Sequence, residues 1–194
     1  MQQTLRSAQL VTANRKAGRI LTILLIAAIC PTGAVSQAPP RFEDYPVSNV
    51  YRGAVKPPNF GNPDRFTGTD VRCFGGDPAA YSARQVNFAS HFVIDVCTCG
   101  SGCHYLFMWD AVNGKFYERL PPGVIDVGPF DTAKTESVSY KGEEYRANSS
   151  LLVVEGCVED TCDCATRFYK WTGTRFQLIR KQPVRMPARC LKEK

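Results

Sequence analysis

The chain has little of what catalytic or membrane-spanning readings require. Its main apolar run, Ile20 to Cys30, is 11 residues long, whereas a spanning helix needs about 20. There are only two histidines, His91 and His104, so a histidine general base would have to be one of them. His104 directly follows Cys103 and His91 opens an expected strand, positions that suit structural histidines. There is no Cys-x-x-Cys, the arrangement that thiol–disulfide exchange favours at a helix start. Nor is there a Gly-x-Ser-x-Gly elbow, because Cys99-Gly-Ser-Gly-Cys103 lacks its glycine spacing. The carboxylate pairs Glu43-Asp44, Glu143-Glu144 and Glu159-Asp160 are chain neighbours. Neighbours in an extended chain point opposite ways, so these pairs are expected to be solvated rather than to share a proton. No repeat recurs at a fixed period. No enzymatic activity is expected.

What is present starts with a leader. Arg15, Lys16 and Arg19 precede the apolar run, and the small residues Ala34 and Ser36 follow it. This is the pattern of a secretory signal over residues 1–36, with cleavage expected before Gln37. Bulky Ile29 in front of Cys30 argues against lipoprotein processing. The expected location is therefore the periplasm or the extracellular space. Without the leader the chain carries 20 basic and 18 acidic side chains, about +2 in all. A nucleic-acid binder would show a strongly basic domain, so a nucleic-acid partner is not expected. Membrane contact is expected only through the leader before its removal. The expected partner is a protein or an envelope ligand, and no cofactor is implied.

Loss of the leader also removes Cys30, leaving eight cysteines: Cys73, Cys97, Cys99, Cys103, Cys157, Cys162, Cys164 and Cys190. An even number in an exported chain predicts up to four disulfides among 105 possible pairings. About 158 residues also suffice for an ordinary apolar core, so crosslinks supplement burial rather than replace it.

Proline-rich residues 37–65 predict an irregular, extended lead-in, and residues 66–194 a single β-rich domain. The expected fold class is α+β: mostly antiparallel β hairpins with one short helix, crosslinked by disulfides. Asp77-Pro78 caps that helix, near 78–86. Alternation puts Phe92, Ile94 and Val96 on one side of a strand. In the next strand Cys103, Tyr105, Phe107 and Trp109 lie opposite Leu106 and Met108. Asn113-Gly114 predicts a hairpin returning through Lys115–Leu120. Leu151–Val154, Arg167–Trp171 and Thr174–Arg180 predict a second hairpin system, with Phe176 and Leu178 on a shared face. Residues 128–149 are polar and predict a long surface excursion.

Two clusters, Cys97-Thr-Cys99-Gly-Ser-Gly-Cys103-His104 and Cys157 to Cys164, each contain a Cys-x-Cys pair. Residues two apart share a side of a strand, so paired strands could carry a double rung, Cys97–Cys164 and Cys99–Cys162. Local closure, Cys99–Cys103 and Cys157–Cys164, satisfies the same separation limits. The sequence does not choose between them. Structural zinc sites space their ligands as Cys-x2–4-Cys, which Cys-x-Cys does not match, so no metal is expected. A thiol–disulfide redox protein using Cys97 and Cys99 is the alternative to a binding protein. Asn148-Ser149-Ser150 is a formal glycosylation acceptor, of consequence only in a host that glycosylates secreted proteins.

Several stretches together resemble an uncharacterised group of small secreted bacterial proteins. The group's pattern runs Asn-Phe-Ala-Gly-His-Tyr, Trp-Gly-Cys-Gly-Ser/Thr-Gly-Cys, Asp-x-x-x-Gly-Lys, Leu-Leu-Val-Val-x-Gly-Cys and Tyr-x-Trp-x-Gly. Matching it here, in order, are Asn87 to Phe92, Cys99 to Cys103, Asp110 to Lys115, Leu151 to Cys157 and Phe168 to Gly173. The chain departs at Ser90 and at Cys97-Thr98. The resemblance implies export and a shared fold, and an added disulfide joining Cys97 to Cys162; it implies no activity. The layout is also similar to that of periplasmic lysozyme inhibitors, in which a cysteine-closed loop before a β-hairpin plugs an enzyme cleft. That similarity implies a partner-facing loop at Gly100, Ser101 and Gly102, with His104 beside it.

Overall fold

A computed structural model describes residues 38–62, 73–74, 77–100, 102–128, 140–158, 161–187 and 190. The expected leader, residues 1–36, lies outside the described residues, as do Ser101, Glu159 and Asp160. Eight strands form a mostly antiparallel sheet: β1 (Phe92–Gly100), β2 (Cys103–Asp110), β3 (Phe116–Tyr117), β4 (Val124–Asp126), β5 (Gly142–Tyr145), β6 (Leu151–Val158), β7 (Cys164–Trp171) and β8 (Phe176–Pro183). The order is β1-β2-β4-β6-β7-β8, with β3 beside β2 and β5 beside β6.

Alternation in β1 and β2 is apolar on both faces, so the hairpin is covered on both. Ile94 stands opposite Met108 and Cys97 opposite Tyr105. Phe92, Ile94, Leu106 and Met108 join Leu152, Val154, Tyr169 and Trp171 in one core. Val93, Cys97, Tyr105, Phe107 and Trp109 pack in a second core with Phe74 and Tyr81. The proline-rich segment seals that second face. Lys56 N–H donates to Ala111 O (2.8 Å) and Asn59 N–H to Gly114 O (2.8 Å). The buried Trp109 indole donates to Lys56 O at 3.1 Å, which satisfies its one polar atom.

The helix α1 (Pro78–Ser82) is capped by Asp77, whose Oδ1 accepts from Ala79 N–H at 2.9 Å. It is shorter than the expected span to residue 86. The residues after it feed the edge of β1, where Asn87 donates to Ile94 O (2.9 Å) and accepts from Ile94 N–H (2.8 Å).

Of the expected excursion over 128–149, residues 129–139 lie outside the described residues, and 140–149 need correction. β4 and β5 lie one after the other along the same side of β6, Asp126 opposite Cys157 and Gly142 opposite Glu155. Between the two, Tyr140 N–H donates to Val127 O at 2.8 Å. Alternation then resumes, and Tyr145 packs on the first core. Polar composition hid the short strand, because only one of its faces is covered. Ser149 and Ser150 are also buried.

The sheet curls. β1 and β7 are four places apart in strand order, yet the Phe92 and Trp171 rings are 5.4 Å apart and those of Tyr117 and Trp171 5.5 Å. Aromatic residues thus fill the end where β1 begins. All four disulfides gather at the opposite end: Cys73–Cys97, Cys99–Cys103, Cys157–Cys164 and Cys162–Cys190. Burial holds one end, and crosslinks hold the turn-rich other.

Candidate functional site

The pairing is by local closure, as the second of the two sequence schemes had it. The double rung does not form, because β2, β4 and β6 lie between β1 and β7. Cys97 and Cys164 are each bonded elsewhere, to Cys73 and to Cys157. Cys97 bonds Cys73 rather than Cys162, and Cys162 bonds Cys190. Cys97 and Cys99 therefore belong to separate disulfides and form no dithiol pair. Cys157 stands directly opposite Cys164 in the β6–β7 register, with Cα atoms 3.9 Å apart.

The β1–β2 turn is pinned at three points. Cys99 and Cys103 close it with Cα atoms 5.2 Å apart. Cys73–Cys97 anchors β1 two residues earlier. Gly102 O accepts from Val127 N–H at 2.7 Å. At Gly102 the backbone has φ +75°, and a Cβ there would run into the Gly128 carbonyl, so only glycine fits. The turn is accessible as well as fixed, since Gly100 is exposed and Cys99, Gly102 and Cys103 are half-buried.

His104 follows on β2, on the face it shares with Leu106 and Met108. Its Nδ1 is buried without a hydrogen-bond partner and lies 3.8 Å from Glu143 Oε1. Glu143 is the residue the sequence concealed. Chain alternation does separate it from exposed Glu144, but its side chain is only 10% exposed rather than solvated. Burial pushes the Glu143 carboxyl above its ordinary value, and the His104 charge opposes that rise. Tyr145, two residues on, is pushed up to about 12 by burial, then by the Glu143 and Asp95 carboxylates. A Glu-x-Tyr alternation entering a strand was the available signal for this inward face.

His91 sits elsewhere, in a shallow cleft of about 350 Å³ with Asn49, Tyr51 and Asp110. Its Nε2 is 3.8 Å from Asp110 Oδ2. Asp110 is already occupied, accepting from Val112 N–H (2.8 Å) and Asn113 Nδ2 (2.7 Å). Ser90 Oγ donates to Asn49 O at 2.8 Å, away from His91, so no serine–histidine relay is assembled. Ala89 and Ser90 have positive φ, and Ser90 O accepts from Tyr51 N–H at 2.7 Å. This corner joins the lead-in to the sheet.

A cavity of about 610 Å³ between α1 and β1 contains Arg84 and Asp95. The two neutralise each other at 2.7 Å. Among the described residues no group of three or more His, Cys, Asp or Glu side chains could hold a metal ion. No helix among them is long and apolar enough to cross a membrane. Asn148 is exposed, but Ser150 of its acceptor triplet is buried, 3.4 Å from Tyr45 O. Comparison with protein-family models, curated proteins and solved structures finds no match.

Proposed function

We propose that this chain is an exported binding protein, non-enzymatic, that presents the Cys99–Cys103 turn to a partner protein in the periplasm or outside the cell. The observation that carries the proposal is the pinning of that turn. Two disulfides and the Gly102–Val127 hydrogen bond fix a half-exposed loop at the end of a hairpin buried on both faces. A loop already ordered loses little conformational freedom on docking, and that favours an inhibitor-like wedge. Eight cysteines paired in four bonds fit an oxidising compartment, in keeping with the basic and apolar leader. Against the redox alternative stands the assignment of Cys97 and Cys99 to different bonds.

The test is capture from an envelope extract with immobilised protein, compared across three forms: unaltered, Ser101→Trp, and Cys99→Ser/Cys103→Ser. The expected result is one partner held by the unaltered protein and lost from both variants, with the unfolding transition of Ser101→Trp unchanged. Equal capture by all three would overturn the proposal. A native thiol count separates the redox alternative. Fewer than one reactive thiol per chain is expected, and two at Cys97 and Cys99 would favour redox chemistry.

A further inference from the structure

The disulfides differ in how they meet solvent. Cys97 is 1% exposed, in the second core with Tyr105 and Trp109. Cys190 is 7% exposed, in a cluster with Cys157 and Cys164. Their bonding partners, Cys73 and Cys162, are half-buried. Cys157 (0%) and Cys164 (3%) are both buried. Among the described disulfides, Cys99–Cys103 alone joins two half-buried cysteines, and exposed Gly100 lies between them.

Thiol–disulfide exchange needs access to one sulfur and surroundings that tolerate the other as a leaving thiolate. An apolar setting favours the neutral thiol and so opposes that departure. Attack on Cys73 would release Cys97 inside the second core, and attack on Cys162 would release Cys190 beside Cys157, Cys164 and Val184. Attack on either half of Cys99–Cys103 releases a sulfur at the half-exposed turn.

Opening this bond also leaves the other restraints in place. Its sequence separation is 4, against 7 for Cys157–Cys164, 24 for Cys73–Cys97 and 28 for Cys162–Cys190. The shortest loop restricts the unfolded chain least, so the fold depends on it least. β1 and β2 remain paired from Phe92–Asp110 to Thr98–His104, and Cys73–Cys97 still anchors β1. Only the closure of the turn is lost.

We infer that Cys99–Cys103 is a thiol-exchange site, opened by a dithiol reductant while the rest of the fold stands, and that opening releases the turn. A thiolate of the dithiol attacks one sulfur. The S–S bond breaks, a mixed disulfide forms, and the other cysteine leaves as a thiolate that takes a proton from water. The dithiol's second sulfur, also as thiolate, then displaces the first cysteine, which is protonated in turn. Two electrons pass to the protein: Cys99 and Cys103 become thiols, and the dithiol is oxidised to its own disulfide. The chain is the substrate of this exchange and not its catalyst. The consequence for binding rests on the proposed loop function, since a released turn must be ordered again on docking.

The experiment is graded reduction of the full oxidised chain with dithiothreitol, without denaturant, followed by alkylation and peptide mapping. Cys99 and Cys103 should be alkylated first, at least about tenfold faster than any other pair. The near-ultraviolet circular dichroism of Trp109 and Trp171 should be retained at that stage. Selectively reduced protein, freed of reductant under argon, should hold at least about tenfold less of the envelope partner. Reoxidation should restore capture. The order of opening is read with no partner present. An early Cys99–Cys103 step with no partner captured by any form therefore supports the exchange site and sinks the loop function alone. First opening at another disulfide, opening only together with loss of the dichroism signal, or equal retention of a captured partner by reduced and oxidised forms would overturn the inference.

Discussion

His104 Nδ1 and Glu143 Oε1 are 3.8 Å apart, one on β2 and the other on β5. The strands are joined only through β4 and β6. Burial raises the Glu143 carboxyl above its ordinary 4.5. A group raised in the fold contributes stability that is present below its unfolded value and lost as pH rises through the folded one. Glu143→Gln should therefore raise the thermal midpoint at neutral pH, and the gain should disappear below pH 4.5. A gain that persists undiminished in acid would refute the assignment of burial as the dominant cause.

Tyr145 provides an alkaline counterpart. With its hydroxyl pushed up to about 12, it resists ionisation and contributes stability that is lost as pH rises through that value. Tyr145→Phe should shift the alkaline unfolding midpoint upward. Phenolate absorbance should also show one fewer late-titrating tyrosine.

The disulfides should differ in worth according to the loops they close. Cys73–Cys97 and Cys162–Cys190 span 24 and 28 residues, and Cys99–Cys103 spans 4. Chain entropy then assigns about 3.5 kcal/mol to each long closure and roughly 2 kcal/mol to the short one. Urea unfolding of paired Cys→Ser variants measures this, and the Cys99–Cys103 variant should be the mildest. The reverse order would discredit the loop-entropy account here.

Arg167 is a buried clamp on the β6–β7 turn. Its guanidinium donates to Gly156 O (3.1 Å), Ala165 O (3.3 Å) and Asp163 O (2.7 Å). Arg167→Met keeps the apolar stem but strands those carbonyls, at a cost of about 2–3 kcal/mol in denaturant unfolding. A loss within error of zero would mean that water replaces all three hydrogen bonds.

Gly114 tests the seam between lead-in and sheet. It has φ +78°, and a Cβ there would lie 2.6 Å from Pro57 O. Gly114→Ala should cost about 1–2 kcal/mol for the left-handed backbone alone, with further loss from displacing Pro57. Proteolysis within residues 38–62 should quicken in this variant. An unchanged digestion pattern would show that the seam tolerates the shift.

The β1–β2 and β6–β7–β8 strands were legible because their alternation is strong enough to be read without partners, from Phe92, Ile94, Phe107 and Trp109 through Leu152 to Trp171. Asp77-Pro78 and Asn113-Gly114 were equally legible, since cap and turn chemistry is local. β5 was not: Gly-Glu-Glu-Tyr becomes a strand only because β6 offers it an edge. Leu178 shares the expected strand but remains exposed, because β8 ends the sheet.

The amino-acid sequence by itself determined the faces of the strong strands, the helix cap, the tight turns and the supply of eight cysteines after residue 36, since each depends on neighbours within a few positions. Tertiary structure alone decided which cysteines meet and that Glu143 turns inward to His104. Those outcomes depend on the order of strands across the sheet, and strand order is fixed by contacts between residues far apart in the chain.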